Sequence, residues 1–324
     1  MDLLLKALLS SDAQAHEVWA AWRAKVDFDK VPYASQQFFP AFGPPFLEWI
    51  DKDPAGPIFK GIVRQFWSQN QLRLSATVEL MTLFEAADIQ ASIAGPVAWA
   101  LRTPGPAIRP IPYLTFLVPR GQIQTAWNLL LDAGWSPACD LPDDAWWDWR
   151  GHVSAHQGNL HLNLHWRLIS VPPEDARECE AAFLAGIKEI EWNQHTLATT
   201  SPEVTLLHIL CLERKDDLPW QADVALIHLT AIDWAAFLDL AKRFAPHVIE
   251  RLRESRSFAR LEIPELPDDH PGALRRRLRD IWRVYRAYSY HRKQAVSWSG
   301  FAEFLVTAGA RKLTQAVPGR PPRK

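Results

Sequence analysis

The stretch AIRPIPYLTFLVPRG, residues 107–121, reads as an Arg-Pro turn, then a strand, then the start of a helix. At its centre Tyr113, Leu114, Thr115, Phe116, Leu117 and Val118 are aromatic, β-branched or aliphatic, the composition of a half-buried strand. This strand carries no acid. On its C-terminal side GQIQTAWNLLLDAGW predicts a helix stopped at Gly134. On its N-terminal side IQASIAG (89–95) predicts a first strand, followed by a short helix, PVAWAL.

Further from this centre the chain is mostly helical. The first ~87 residues predict helices broken by prolines: DAQAHEVWAAWRAKV carries apolar positions at helical spacing, and FFPAFGPPFLEWI is interrupted at Pro40, Pro44 and Pro45. Residues 59–89 predict one or two long amphipathic helices. Beyond an acidic, aromatic loop, CDLPDDAWWDWRG, two strands are expected. The second, NLHLNLHWRL (159–168), alternates: Leu160, Leu162, Leu164 and Trp166 on one side, Asn159, His161, Asn163 and His165 on the other. A helix at 174–184 and strands near 188–199 follow. Ser201-Pro202-Glu203 then marks the start of a helix. QADVALIHLT, DWAAFLDLAKRF and PHVIERLRES continue the helical pattern, and a linker, a basic helix and a tail close the chain. The expected fold class is α+β, a small mixed sheet flanked by N-terminal and C-terminal helical regions. The expected parts are 1–88, 89–200, 201–262 and 263–324.

The composition excludes several classes. At 48% hydrophobic and 23% charged over 324 residues the chain is globular rather than disordered or fibrous. Most of the sixteen Trp are expected in the core. Cys139, Cys179 and Cys211 show no CxxC spacing, so neither a zinc site nor a disulfide framework is suggested. The start, MDLLLKALLSSDAQ, lacks the basic leader and full apolar region of a signal peptide, and a cytoplasmic location is expected. GxSxG, GxGxxG and P-loop signatures are absent. The net charge of −1 hides a split: residues 272–324 hold 13 Lys or Arg against Asp280 and Glu303, or +11, leaving −12 for the rest.

Taken in order, a strand running into Gly95, an Arg-Pro strand ending in Leu-Val-Pro, a helix ending in Ala-Gly-Trp and a strand ending in Leu-His-Trp resemble a bacterial uncharacterised nucleotidyltransferase-like family, related to the DNA-polymerase-beta nucleotidyltransferase superfamily. The resemblance covers roughly residues 15–260. It implies a nucleotidyltransferase-like core at 89–200, with three carboxylates on adjacent strands holding two Mg²⁺ ions against nucleotide phosphates. The family's Lys-Gly falls on Ala94-Gly95, its two strand Asp on Tyr113 and Thr115, and its third carboxylate on Asn163. Arg109, Pro110, Leu117, Val118, His165 and Trp166 match.

The expectation is therefore a nucleotidyltransferase-fold protein without the catalytic acids. It would bind a nucleotide, a peptide or a partner protein in a bacterial pathway, with no cofactor. Gly95, Arg102, Arg109, His161 and His165 are the ligand-binding candidates. His161 and His165, at i, i+4 on one strand face, are also candidate transition-metal ligands, but no Cys or acid completes a set. His152 and His156 are placed to approach them from the preceding strand. Asp223 is expected to be a buried acid that orients helices. Two alternatives stay open. One is an active, divergent enzyme transferring NMP from an NTP with Mg²⁺, using Asp140, Asp143, Asp144 and Asp148, with Arg102 and Arg109 on phosphate. The other is a nucleic-acid or acidic-partner binder through 272–293, where Arg275, Arg279 and Arg286 interleave with aromatics.

Overall fold

The computed structural model describes residues 3–27, 30–102, 109–138, 151–171, 175–212, 219–226 and 231–255. Residues Met1–Leu266 form one compact unit. The acidic loop with Asp140, Asp143, Asp144 and Asp148, and the basic segment with Arg275, Arg279 and Arg286, lie outside the described residues.

Short helices α1 (Leu3–Leu9), α2 (Asp12–Arg23), α3 (Tyr33–Gln36), α4 (Phe38–Ala41) and α5 (Pro44–Ile50) precede α6 (Gly56–Ala86), a single helix of 31 residues. Pro44 and Pro45 begin α5, where their fixed φ and missing N–H are tolerated, and Pro40 lies within the four-residue α4. Their aromatic neighbours build a core of rings. Trp19 lies 4.9 Å from Phe46 and 5.2 Å from Phe59, edge to face in both cases. The turn into α6 needs Gly56, because a Cβ there would lie 2.3 Å from the Ile50 carbonyl oxygen.

The strands are β1 (Ser92–Ile93), β2 (Leu114–Leu117), β3 (Ser136–Pro137), β4 (His152–Gln157), β5 (Leu160–His165), β6 (Ile187–Trp192) and β7 (His195–Thr200). They form a mixed sheet in the order β3-β4-β5-β2-β1-β7-β6. β2 runs parallel to β5, β1 parallel to β7, and the other pairs are antiparallel. The first strand is two residues long, shorter than the IQASIAG pattern suggests, because its chain turns into α7 (Gly95–Arg102) directly after Ala94. β6 and β7 are joined by Asn193 and Gln194, both at positive φ, the geometry of a tight hairpin. On the edge, β6 carries Lys188, Glu189 and Glu191, charges that discourage further strand pairing.

Alternation along the strands separates two faces. Phe116 turns toward α6, its ring 5.5 Å from Phe84. Between the strands, α8 (Ile123–Asp132) buries Ile123, Ala126, Trp127 and Leu130. Thr115 and Leu117 turn the other way, where Leu117 joins a core with α9 (Ala176–Ala185), α10 (Pro202–Cys211), α12 (Trp234–Phe244) and α13 (His247–Ser255). Ser201 caps α10, its Oγ accepting from the Val204 amide. Cys179 is a free thiol, and burial pushes it up to about 12. No helix among the described residues is long and apolar enough to cross a membrane.

Arg109 ties the parts together. It is buried in front of β2, and its Nε and Nη2 donate to Asp223 of α11 (Trp220–Ala225) at 2.6 and 3.0 Å. Asn70 of α6, also buried, donates to the Arg109 carbonyl at 2.8 Å and accepts from the Ile111 amide at 2.9 Å. One residue before the sheet thus holds the N-terminal helices on one side and the C-terminal helices on the other. Such an ion pair needs this completeness, because desolvation offsets much of its Coulomb attraction.

Candidate functional site

The parallel pairing of β2 and β5 places Thr115 directly beside Asn163. Tyr113 precedes β2 by one residue, so the three positions the resemblance assigns to carboxylates fall on adjoining strands. Their chemistry is neutral throughout. Asn163 Oδ1 accepts from Ser154 Oγ at 2.7 Å across the β4–β5 ladder. Thr115 Oγ1 is buried with no hydrogen-bond partner among the described residues. Hard divalent cations select anionic oxygen ligands, and a hydroxyl and an amide carbonyl do not replace three carboxylates. The residues present here therefore do not fit a pair of Mg²⁺ ions.

Imidazoles occupy the neighbourhood instead. His152 and His165 are opposite one another on β4 and β5, with rings stacked at 4.9 Å. His208 from α10 meets the His165 ring edge-on at 5.4 Å. His208 is fully buried and neither of its ring nitrogens has a hydrogen-bond partner among the described residues. His165 places Nδ1 3.2 Å from the Arg167 carbonyl, which fixes the hydrogen on Nδ1, and its Nε2 is a second buried atom without a partner. Burial holds His165 well below the usual imidazole range, with His152 and His208 adding to the effect. Burial likewise brings His208 down to about 3, with a smaller contribution from His152. Among the described residues no three His, Cys, Asp or Glu side chains converge as metal ligands.

Gly95 closes this group. It begins α7 at φ +58°, and a Cβ there would lie 3.3 Å from His208 Cε1 and 3.3 Å from Thr115 Oγ1. Both the backbone conformation and the close approach demand glycine. Gly95→Ala is expected to destabilise the protein by about 1–3 kcal/mol, seen as a lower midpoint in urea unfolding. An unchanged midpoint would mean that the helix start relaxes without cost.

The other candidates scatter. Arg102, at the far end of α7, donates to the Ala98 carbonyl, to Thr199 Oγ1 and to the Thr200 carbonyl, and burial lowers it to about 10. Arg109 is committed to Asp223 as described above. His161 is exposed, opposite His156 in the β4–β5 ladder and away from the buried ring group. His161 and His165 thus lie in different surroundings, and the imidazoles that do gather are His152, His165 and His208. Nothing in the sequence around His208 signals that it meets the sheet.

A search of curated proteins found no match to the chain. A scan against protein families matches residues 56–264, more than half the chain, to the family described as uncharacterised nucleotidyltransferase. The matched span contains the sheet, α6, α7 and the helices that carry His208 and Asp223. The mixed α+β architecture agrees with this match, and the chain belongs to the uncharacterised nucleotidyltransferase family.

Proposed function

We propose that this protein is a catalytically degenerate member of its family, acting by binding a nucleotide without turnover. The observation that carries this reading is the pairing of Thr115 with Asn163, neutral side chains at the strand positions where the family resemblance calls for acids. Two-metal transfer draws several kcal/mol of transition-state stabilisation from its ions, and losing all three anionic ligands removes it. The scaffold is meanwhile intact: the tight β1–Gly95–α7 turn, the β2–β5 pairing and the Arg109 anchor are all present. We place the protein in a bacterial pathway and in the DNA-polymerase-beta superfamily on the strength of the sequence resemblance.

The test is a thermal-unfolding screen of the purified chain against the four NTPs, with and without Mg²⁺ or Mn²⁺. A nucleotide at a hundred times its dissociation constant should add about 2.7 kcal/mol, a shift of several degrees. A shift that does not require metal is the expected result. A shift that appears only with nucleotide and metal together would overturn the reading and favour an active enzyme drawing on Asp143 or Asp144. In that case Asp143→Asn would abolish the metal dependence.

A further inference from the structure

We infer that Tyr33, Leu72 and Arg73 form a docking surface for an acidic segment of a partner protein, one that sets an Asp or Glu carboxylate on Arg73 between two apolar side chains. The surface stands apart from the nucleotide reading above, since none of these residues belongs to the sheet site.

Arg73 is a cation without a counter-ion. It lies in the middle of α6, half-buried, and its guanidinium enters no hydrogen bond and no ion pair among the described residues. Other arginines of the fold are committed: Arg23 to Asp53, Arg109 to Asp223, Arg167 to Glu180 and Arg243 to Glu178, while Arg102 and Arg251 donate to carbonyls. Burial lowers the Arg73 guanidinium from its ordinary value, and the Tyr33 hydroxyl pulls the other way to a smaller extent. A desolvated cation with idle donors costs free energy that nothing in its surroundings recovers. A carboxylate from outside recovers it, through two parallel charge-assisted hydrogen bonds.

Apolar surface flanks this cation on both sides. Phe66, two turns earlier on α6, is buried and carries the Tyr33 ring at 5.6 Å, and Tyr33 itself is 54% exposed. On the other side Leu72 is 69% exposed. Gln69, one turn before Arg73, lies between them, and its shielded Oε1 accepts no hydrogen bond among the described residues. At 3.6 residues per turn, Phe66, Arg73, Gln69 and Leu72 occupy about 120° of the helix surface, so they form one continuous strip.

The composition of the strip selects the guest. Tyrosine and arginine side by side, with apolar area around them, are the groups that carry most of the energy in protein interfaces. A phosphorylated guest calls for a cluster of cations, but Arg64 and Lys60, the other cations of α6, lie about 180° and 140° around the helix from Arg73. One arginine suits one carboxylate. Because apolar groups lie on both sides of it, that carboxylate belongs to a side chain within a segment, with an apolar residue before it and another after. A chain terminus would cover one side only. The strip is also open to solvent, whereas small-molecule sites enclose most of their ligand.

The full chain and its Arg73→Glu variant are immobilised and screened against a display library of random short peptides. Sequences held by the natural chain and lost by Arg73→Glu, each with an acid between apolar residues, are expected. Finding no Arg73-dependent sequence, or Arg73-dependent sequences that lack an acid, overturns the inference. The strongest peptide is then synthesised and titrated by fluorescence anisotropy. Arg73→Gln, Tyr33→Ala and replacement of the peptide's acid by its amide should each weaken binding about tenfold or more. Undiminished binding by Arg73→Gln overturns the inference. Stability separates this role from a structural one: Arg73→Met keeps the aliphatic stem and should leave the urea midpoint unchanged or raise it. A lowered midpoint would make Arg73 an anchor of the fold and overturn the inference. Doubling of the mass of the natural chain at high concentration, abolished in Arg73→Glu, would assign the strip to a second copy of this chain and overturn it as well.

Discussion

Arg109→Ala is expected to cost about 3–5 kcal/mol, because it leaves Asp223 as a buried charge with its bidentate partner gone. Asp223→Ala should cost a similar amount from the other side. At roughly 2–4 °C per kcal/mol for a domain of this order, either change should lower the melting temperature by about 6–20 °C. Arg109→Lys should recover only part of the loss, since an ammonium cannot reproduce the two parallel N–H donors that reach Oδ1 and Oδ2 at 2.6 and 3.0 Å. Replacing both partners together by apolar residues, Arg109→Met with Asp223→Leu, should cost clearly less than the two single losses added, because neither charge is then stranded. Additive losses would contradict this account of the pair. The same variants separate anchoring from ligand binding: a surface phosphate ligand at Arg109 would lose affinity with little loss of stability.

Acid should destabilise the protein earlier than carboxylate protonation alone would. His165 and His208 are held neutral in the folded state, His208 down to about 3, whereas the unfolded chain protonates them near 6.5. Below that value the unfolded state carries protons that the folded state refuses, so the unfolding free energy falls as pH falls. Each such imidazole contributes a slope approaching about 1.4 kcal/mol per pH unit. Asp53, lowered by its hydrogen bond from Arg23, adds a loss in the same direction only at lower pH, near and below the usual carboxylate range. The interval between about pH 6.5 and 4 therefore reports on the histidines. Urea midpoints measured across it should decline steeply for the natural chain and less steeply for His208→Gln. A flat profile over this interval would contradict the burial and neutrality of the ring group.

Much of the architecture was legible because it is local. Alternation in NLHLNLHWRL marks β5, the proline breaks of FFPAFGPP mark the short N-terminal helices, and Ser201-Pro202-Glu203 marks the start of α10. Strand β1 was read too long, since IQASIAG has strand composition throughout but Ala94 and Gly95 already serve the turn into α7. The site was legible in part. The order of motifs singles out Thr115 and Asn163, and the β2–β5 register puts the two side by side. What escaped was long-range. The Arg109–Asp223 pair spans 114 positions, and nothing in either flanking pattern says that an Arg-Pro turn will meet a helix so far along the chain. His208 sits among the apolar residues of α10. Only the docking of α10 on the sheet turns it toward His165 and Gly95.

The central claim, a nucleotidyltransferase scaffold whose metal-holding positions have become neutral, is tested most directly by pyrophosphate release. The full chain is incubated with each NTP and with Mg²⁺ or Mn²⁺, and pyrophosphate and labelled acceptor are measured against a no-protein control. No release above the control is the predicted result, unchanged in Thr115→Val. Metal-dependent release or labelling by the natural chain would contradict the account, and its loss in Asp143→Asn or Asp144→Asn would place the working carboxylates in the 140–148 loop.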